Sequence, residues 1–341
     1  AVRVAREFRK RFPGVPMVGI GGPRLEAEGV KLLSDYGKIS VMGFTEVLSH
    51  LSAIREALAA AKERLRPGDV GAVVLIDFPE FNFRVGIAAR ERGIPVIYYI
   101  PPQLWAWRTG RARTIARFAR GAVVLFPFEE TLLREYGVNA VFAGHPLLDE
   151  LEPWLDAEPE PERFGMGREE TAVGLLPGSR PGEISRHLPI LLAAARLILE
   201  RFPGVRFALP VASSTLREPL ERGVAGSGIP VTLVDSDRPL MFRGLTAAVS
   251  VSGTATLELA LLGVPPVIVY RASWISYGIG RLLARVDRIG LPNIVAGEGF
   301  LPELIQDDCT PERIAGAMSF FLEDPGRLAG LRDRCLSLRD R

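Results

Sequence analysis

Short β-branched apolar runs alternate with longer amphipathic ones along nearly all of this 341-residue chain, and a parallel βα sheet is what imposes that rhythm. Strands of such a sheet are buried on both faces and need a crossover helix to bring the chain back to the same end. In the first half the strand-like runs are residues 16–20, 72–76, 95–100, 122–125 and 140–142. Amphipathic stretches lie between them. The longest covers 45–65, where alanines and an (i, i+4) apolar spacing fit a helix lying on one sheet face.

Residues 245–270 contain a single charge, Glu258, and by hydropathy alone would pass for a membrane span. Ser252-Gly253-Thr254 near the start and Pro265-Pro266 near the end divide the run into strand, loop, helix and strand. It reads as the buried middle of an α/β sheet.

Between 152 and 170 the periodicity stops, and three prolines, at 153, 159 and 161, sit among acidic residues. That stretch reads as a linker. Strand-like runs then resume at 172–176, 205–209, 230–234, 247–251 and 267–269. The expected organisation is α/β, with two Rossmann-like parallel-sheet domains facing each other across a cleft. These would be an acceptor-side domain over 1–151, the linker over 152–170, a second domain over 171–323 and a helical tail over 324–341. The chain opens inside a helix-like stretch, 2–12, with no signal peptide, so the first domain is expected to be truncated at its start.

Composition narrows the partners. Hydrophobic residues make up 48% and charged residues 24%, the profile of an ordinary globular protein. A net charge of +2 excludes a polycation built for nucleic acid, so an anionic partner must be met locally. Cys309 and Cys335 are too few for a disulfide framework and point to a reducing compartment. Three scattered histidines, His50, His145 and His187, with no adjoining cluster argue against a metal site, and no cofactor is expected. P-loop, nucleophile-elbow and dinucleotide-fingerprint patterns are missing from the sequence.

Three motifs fall at the carboxyl ends of strands, where open α/β sheets bind ligands. Leu176-Pro177-Gly178-Ser179-Arg180 offers a close backbone approach at Gly178, a hydroxyl at Ser179 and a guanidinium fork at Arg180 suited to a diphosphate. A plain turn with a surface arginine is the competing reading. Ser252-Gly253-Thr254 opens a helix whose first N–H groups attract an anion, and Glu258 on its first turns suits a ribose diol as well as the helix dipole. Asp77, in Ile76-Asp77-Phe78-Pro79-Glu80-Phe81-Asn82, fits either a general base for a sugar hydroxyl or a cap of the helix starting near Pro79.

Two stretches combine aromatic and basic residues. Trp105 and Trp107 precede Arg108, Arg111, Arg113, Arg117 and Arg120, and Trp274 and Tyr277 precede Arg281, Arg285 and Arg288. Such faces suit an anionic lipid surface or a phosphorylated substrate; solvated helix faces with core aromatics explain them equally. His145, in Gly144-His145-Pro146-Leu147, lies at a strand end as a candidate ligand contact.

Read in order, these motifs resemble lipid-A-disaccharide synthase. Gly21-Gly22-Pro23-Arg24, Ala27-Glu28-Gly29, Ser40-Val41-Met42-Gly43, Pro127-Phe128-Glu129, Leu291-Pro292-Asn293 and Pro302-Glu303-Leu304 with Gln306 extend the match over nearly the whole chain. The resemblance implies an inverting GT-B glycosyltransferase of lipid A biosynthesis. It would move diacylglucosamine from UDP to the 6-hydroxyl of diacylglucosamine 1-phosphate, with Asp77 as base and Arg180 on the leaving group. Asn293 and Gln306 would join Gly178, Ser179, Ser252, Gly253, Thr254 and Glu258 around the UDP-sugar. Trp105, Trp107, Arg108, Arg113, Arg117, His145, Arg281 and Arg285 would meet acceptor or membrane. The implied location is cytoplasmic, on the inner face of a Gram-negative inner membrane, and a homodimer is compatible with it. The family pattern begins with a strand and a Gly-Glu-Ala-Ser-Gly-Asp loop ahead of the helix that opens this sequence, and it has Asp-Phe-Asn where Glu80-Phe81-Asn82 stands. If this sequence is all there is, the loss of that loop's acceptor contacts is expected to leave weak or no activity. Rival readings are a transferase with a soluble acceptor, a UDP-N-acetylglucosamine 2-epimerase and a non-catalytic nucleotide-sugar binder.

Overall fold

All ten strand-like runs form strands in the computed structural model, which describes residues 1–36, 47–102, 104, 110–272 and 288–341, with 47–51 as backbone only. The chain divides into two units, Ala1–Gly144 and His145–Arg341.

In the first unit, helix α1 (Val2–Arg11) leads to strand β1 (Met17–Gly21), the short helix α2 (Pro23–Glu26) and β2 (Val30–Asp35). After α3 (Val47–Arg64), three βα steps follow: β3 (Val73–Ile76), α4 (Pro79–Glu91), β4 (Val96–Tyr99), α5 (Arg111–Phe118), β5 (Gly121–Val124) and α6 (Pro127–Glu135). Strand β6 (Ala140–Phe142) closes the unit. The described strands make two parallel sheets, β1-β2 and β3-β4-β5-β6. Strand β2 was not legible in the sequence, because Lys31 and Ser34 interrupt its apolar residues and only Val30 is buried. The core gathers Val96 and Tyr98 of β4 with Ala89, Ile115 and Phe118 of the covering helices. Helix α4 approaches so closely at Gly86 that a Cβ there would lie 2.6 Å from the Phe118 ring. Any larger residue at Gly86 would push these helices apart.

The second unit starts with α7 (Pro146–Leu155), and its strands are β7 (Ala172–Leu176), β8 (Arg206–Pro210), β9 (Val231–Val234), β10 (Ala247–Val251), β11 (Pro266–Tyr270) and β12 (Glu303–Ile305). Between and after them run α8 (Pro181–Arg201), α9 (Arg217–Ser227), α10 (Arg238–Arg243), α11 (Thr254–Leu261), α12 (Leu291–Ala296), α13 (Pro311–Leu322) and α14 (Pro325–Leu336). The sheet is parallel throughout, in the order β12-β11-β10-β7-β8-β9. This is the doubly wound order, and its direction reverses between β7 and β10. Both of those strands are buried at every residue, which accounts for the near-chargeless run around 245–270.

The expected boundary at 151 and the linker over 152–170 both fall inside this unit. Arginines bind the segment to it. Arg243 donates to the carbonyls of Ala157 and Leu262, and Arg339 to those of Leu155 and Leu261. Within the expected linker, Phe164 and Met166 are buried. The tail is likewise part of the unit, with Arg332 donating to the carbonyl of Gly263.

Candidate functional site

Backbone strain marks one end of the sheets. Among the described residues, the non-glycine positions with positive φ are Asp77, Phe78, Ile100, Asp237 and Gln306, at 50°, 40°, 58°, 50° and 55°. Asp77 and Phe78 follow β3, Ile100 follows β4, Gln306 follows β12, and Asp237 lies three residues beyond β9. Each such residue costs roughly 1–3 kcal/mol and persists where neighbours fix it, commonly at functional sites.

At Asp77 the neighbours are identifiable. Asn82, on the first turn of α4, donates its side-chain amide to the carbonyls of Asp77 at 2.6 Å and Ile76 at 3.0 Å. The Tyr98 hydroxyl donates to the Asp77 carbonyl at 3.1 Å. Burial, and next the charge of Asp77, push the Tyr98 phenol well above its usual range, so it stays a donor. These bonds hold the Asp77 backbone and leave the residue exposed at the end of β3. Glu80, the departure from the family's aspartate, pairs with Arg111.

In the second unit the two anion motifs are neighbours. Leu176 and Ser250 are register partners on adjoining strands, so the 177–180 loop and the 252–254 loop leave the same sheet edge at the point where strand order reverses. Gly178, at φ +115°, adopts a backbone geometry that L side chains rarely enter, and a Cβ there would lie 2.6 Å from Glu183.

Glu183 changes the expected role of this loop. Its Oε2 accepts from the backbone N–H groups of Ser179 at 2.9 Å and Arg180 at 3.2 Å, capping α8 from within. Those amides are therefore taken, and what the loop offers an anion is the Ser179 hydroxyl and the Arg180 guanidinium. Arg180 touches Glu183 at 3.4 Å with 64% of its side chain exposed. By contrast, the start of α11 has no side-chain cap, and Gly253 and Thr254 are exposed. Ser252 is anchored, its N–H to Val269 and its hydroxyl to the carbonyl of Ile289 at 2.7 Å.

Glu258 is 4% exposed at its side chain and is met by Arg238, whose Nε and Nη2 reach Oε1 at 3.2 and 3.1 Å while Nη2 reaches Oε2 at 2.8 Å. Burial raises the Glu258 carboxyl above its usual range and Arg238 opposes that. Asn293 and Gln306 are engaged internally. Asn293 donates to the Leu301 carbonyl and to Glu303, both at 2.8 Å, and accepts from the N–H groups of Phe300 and Leu301. Gln306 accepts from the Ala272 N–H at 2.6 Å and donates back to its carbonyl at 3.4 Å. Both shape loops at the ends of β11 and β12. His187 is a satisfied core residue, its Nε2 accepting from Arg271 and its Nδ1 donating to the carbonyl of Glu183. Burial lowers its pKa.

Arg113 and Arg117 are exposed on α5, opposite the buried Ala112, Ile115 and Phe118. Trp105, Trp107, Arg108, Arg281 and Arg285 lie outside the described residues. His145 caps α7, accepting from the Leu147 N–H at 3.1 Å, and burial lowers its pKa. Among the described residues, no group of three or more His, Cys, Asp or Glu is arranged to hold a metal, and no helix is long and apolar enough to cross a membrane.

Sequence reasoning missed Glu183 and Arg238. The first had a signal, a glutamate three residues after the helix cap. The second had none, lying 20 residues from its partner.

A sequence profile described as lipid-A-disaccharide synthetase matches residues 1–338. The lipid-A-disaccharide synthase of Geobacter metallireducens is 42% identical over 322 residues, covering 94% of this chain and 84% of that one. Of solved structures, a putative UDP-N-acetylglucosamine 2-epimerase from Listeria monocytogenes aligns with TM-score 0.64 at 13% identity, covering 97% of this chain and 87% of that one. MurG of Acinetobacter baumannii aligns with TM-score 0.56 at 15% identity, covering 100% and 91%. At such identities the structural likeness supports the α/β, GT-B type of fold, while the sequence match carries the family. The chain belongs to the lipid-A-disaccharide synthetase family, glycosyltransferases of lipid A biosynthesis.

Proposed function

We propose that the second unit holds the UDP end of a UDP-diacylglucosamine and that Asp77 deprotonates the 6-hydroxyl of diacylglucosamine 1-phosphate. The observation that carries this reading is the adjacency of the Ser179-Arg180 and Gly253-Thr254 loops at the reversal of strand order. A diphosphate leaving group needs fixed positive charge and oriented donors. Arg180, the Ser179 hydroxyl and the uncapped start of α11 supply them, and Glu258 accepts from the ribose diol. Asn293 and Gln306 serve the donor indirectly, through the loops they hold.

In the reaction, the Asp77 carboxylate takes the proton of the acceptor hydroxyl as its oxygen bonds to the anomeric carbon from the face opposite the phosphate. The bond from that carbon to the phosphate oxygen breaks, its electron pair leaves with UDP, and the configuration inverts. The rigid turn made by Asn82 and Tyr98 favours such a base, because proton transfer requires hydrogen-bond reach and fixed orientation. The exposed cations of α5 fit an anionic lipid surface or the acceptor phosphate, in keeping with a place on the cytoplasmic face of a Gram-negative inner membrane.

Turnover should be compared for UDP-2,3-diacylglucosamine and for UDP-glucosamine without acyl chains. A strong preference for the acylated donor is expected, and equal rates would contradict the lipid assignment.

A further inference from the structure

Glu258 presents a problem that its own helix does not solve. It is a largely buried carboxylate on α11, 4% exposed at its side chain, and burial alone would favour its neutral form. Removing one partner of such a pair leaves a buried charge uncompensated. The compensating group is Arg238, the first residue of α10, which remains half exposed. It is held in place in turn. Asp237 before it sits in the left-handed region at φ 50° and pairs with Arg163, and the Arg238 guanidinium lies 5.8 Å from the Phe242 ring centroid.

We propose that Arg238 is a positioning residue for the nucleoside of the donor, fixing the charge and the plane of the Glu258 carboxylate so that it accepts from both hydroxyls of a ribose. The proposal rests on the ribose reading of Glu258 given above. A carboxylate has about four acceptor directions, and one edge of a guanidinium leaves some of them for a diol. A protonated carboxyl would give one of its oxygens to an O–H and lose the paired acceptance.

Among the described residues, Arg238 is the cation that hydrogen-bonds Glu258. Glu150 of α7 adds negative charge and raises the carboxyl further. Strands β10 and β11 and helix α12 carry no ionisable side chain that charges at neutral pH. Arg243, Arg332 and Arg339 bind carbonyls at residues 261–263, at the far end of α11. Without Arg238, the balance at Glu258 should therefore shift towards the neutral form, with the ionised form recovered as pH rises.

The test is calorimetric binding of UDP and of 2′-deoxy-UDP to the full chain and to Arg238→Gln, Arg238→Lys and Glu258→Gln, between pH 6 and 9. The native chain is expected to prefer UDP by about tenfold or more across the range, as for a hydrogen bond to a charged group. Arg238→Gln should lose most of that preference at pH 6–7 and regain it towards pH 9. Arg238→Lys should keep part of it throughout, and Glu258→Gln should lose it at every pH. An Arg238→Gln protein that keeps the native preference at all pH values would overturn the role of Arg238 alone. A native chain that does not distinguish the two nucleotides would overturn the ribose reading of Glu258, and the role of Arg238 with it.

Discussion

Asn82 donates its side-chain amide to the backbone carbonyl of Asp77 at 2.6 Å, and the same nitrogen reaches the carbonyl of Ile76 at 3.0 Å. One residue of α4 thus fastens the last residue of β3 and the positive-φ residue that follows it. Asn82→Ala should lower stability by about 0.5–1.5 kcal/mol per bond lost, the net worth of a hydrogen bond whose partner water can reach, and should reduce kcat more than it changes UDP affinity. Denaturant unfolding and steady-state kinetics check both. Unchanged kcat would show that the turn does not aim Asp77.

Glu183 closes the Ser179 and Arg180 amides against itself. Glu183→Ala should cost about 1 kcal/mol, as the loss of a helix cap does, read as a lower denaturation midpoint. It also frees two N–H groups beside Arg180, so inorganic pyrophosphate should bind the variant at least as tightly as the native chain. A weaker affinity would mean that Glu183 orients Arg180 rather than occupying the amides.

Those two motifs show what the sequence could and could not disclose. Ten of the twelve described strands, spread over three sheets, were legible because burial in a sheet selects continuous apolar runs, and each loop after a strand could then be placed at the ligand-binding end. Strand β12 escaped notice because its three half-buried residues leave no period to count. Asn293 and Gln306 entered the expected UDP-sugar site through the family resemblance alone, and their internal hydrogen bonds could not be read from the sequence. Their partners, Leu301 and Ala272, lie 8 and 34 residues away, at separations that no local rule reads. The pairing of Arg238 with Glu258 was hidden for the same reason.

Asn293 also gives a sharp stability test. It donates to Glu303 at 2.8 Å, so Asn293→Asp replaces a donor facing a carboxylate with a second negative charge. The variant should be destabilised by about 3 kcal/mol or more at pH 7, as for an uncompensated buried charge. Part of that loss should be recovered on acidification, when a proton can be shared. A pH-independent penalty would point to lost packing instead.

His187 predicts acid sensitivity. Its folded pKa is lowered by burial, so between that value and the ordinary value near 6.5 the unfolded chain binds a proton that the folded chain refuses. Stability should therefore fall as pH drops through and below about 6.5. His187→Gln should flatten this slope in urea unfolding measured from pH 7.5 to 5, leaving a residual slope from His145, which burial shifts the same way. An unaltered slope would exclude His187 as its source.

For α5, Arg113→Glu with Arg117→Glu should reduce binding to phosphatidylglycerol vesicles by about tenfold or more, since each cation near an anionic surface contributes roughly 1 kcal/mol. Phosphatidylcholine vesicles should show little difference. Vesicle flotation reads the result, and equal binding by native and doubly substituted chains would remove this face from any membrane role.

The most direct measurement is turnover and UDP binding by Asp77→Asn, which keeps the shape of the side chain and removes its basicity. A fall in kcat of about 10²–10⁴, the usual worth of a positioned general base, with UDP affinity unchanged, is the predicted result. Turnover at the native rate would contradict the assignment of Asp77 as the group that accepts the proton.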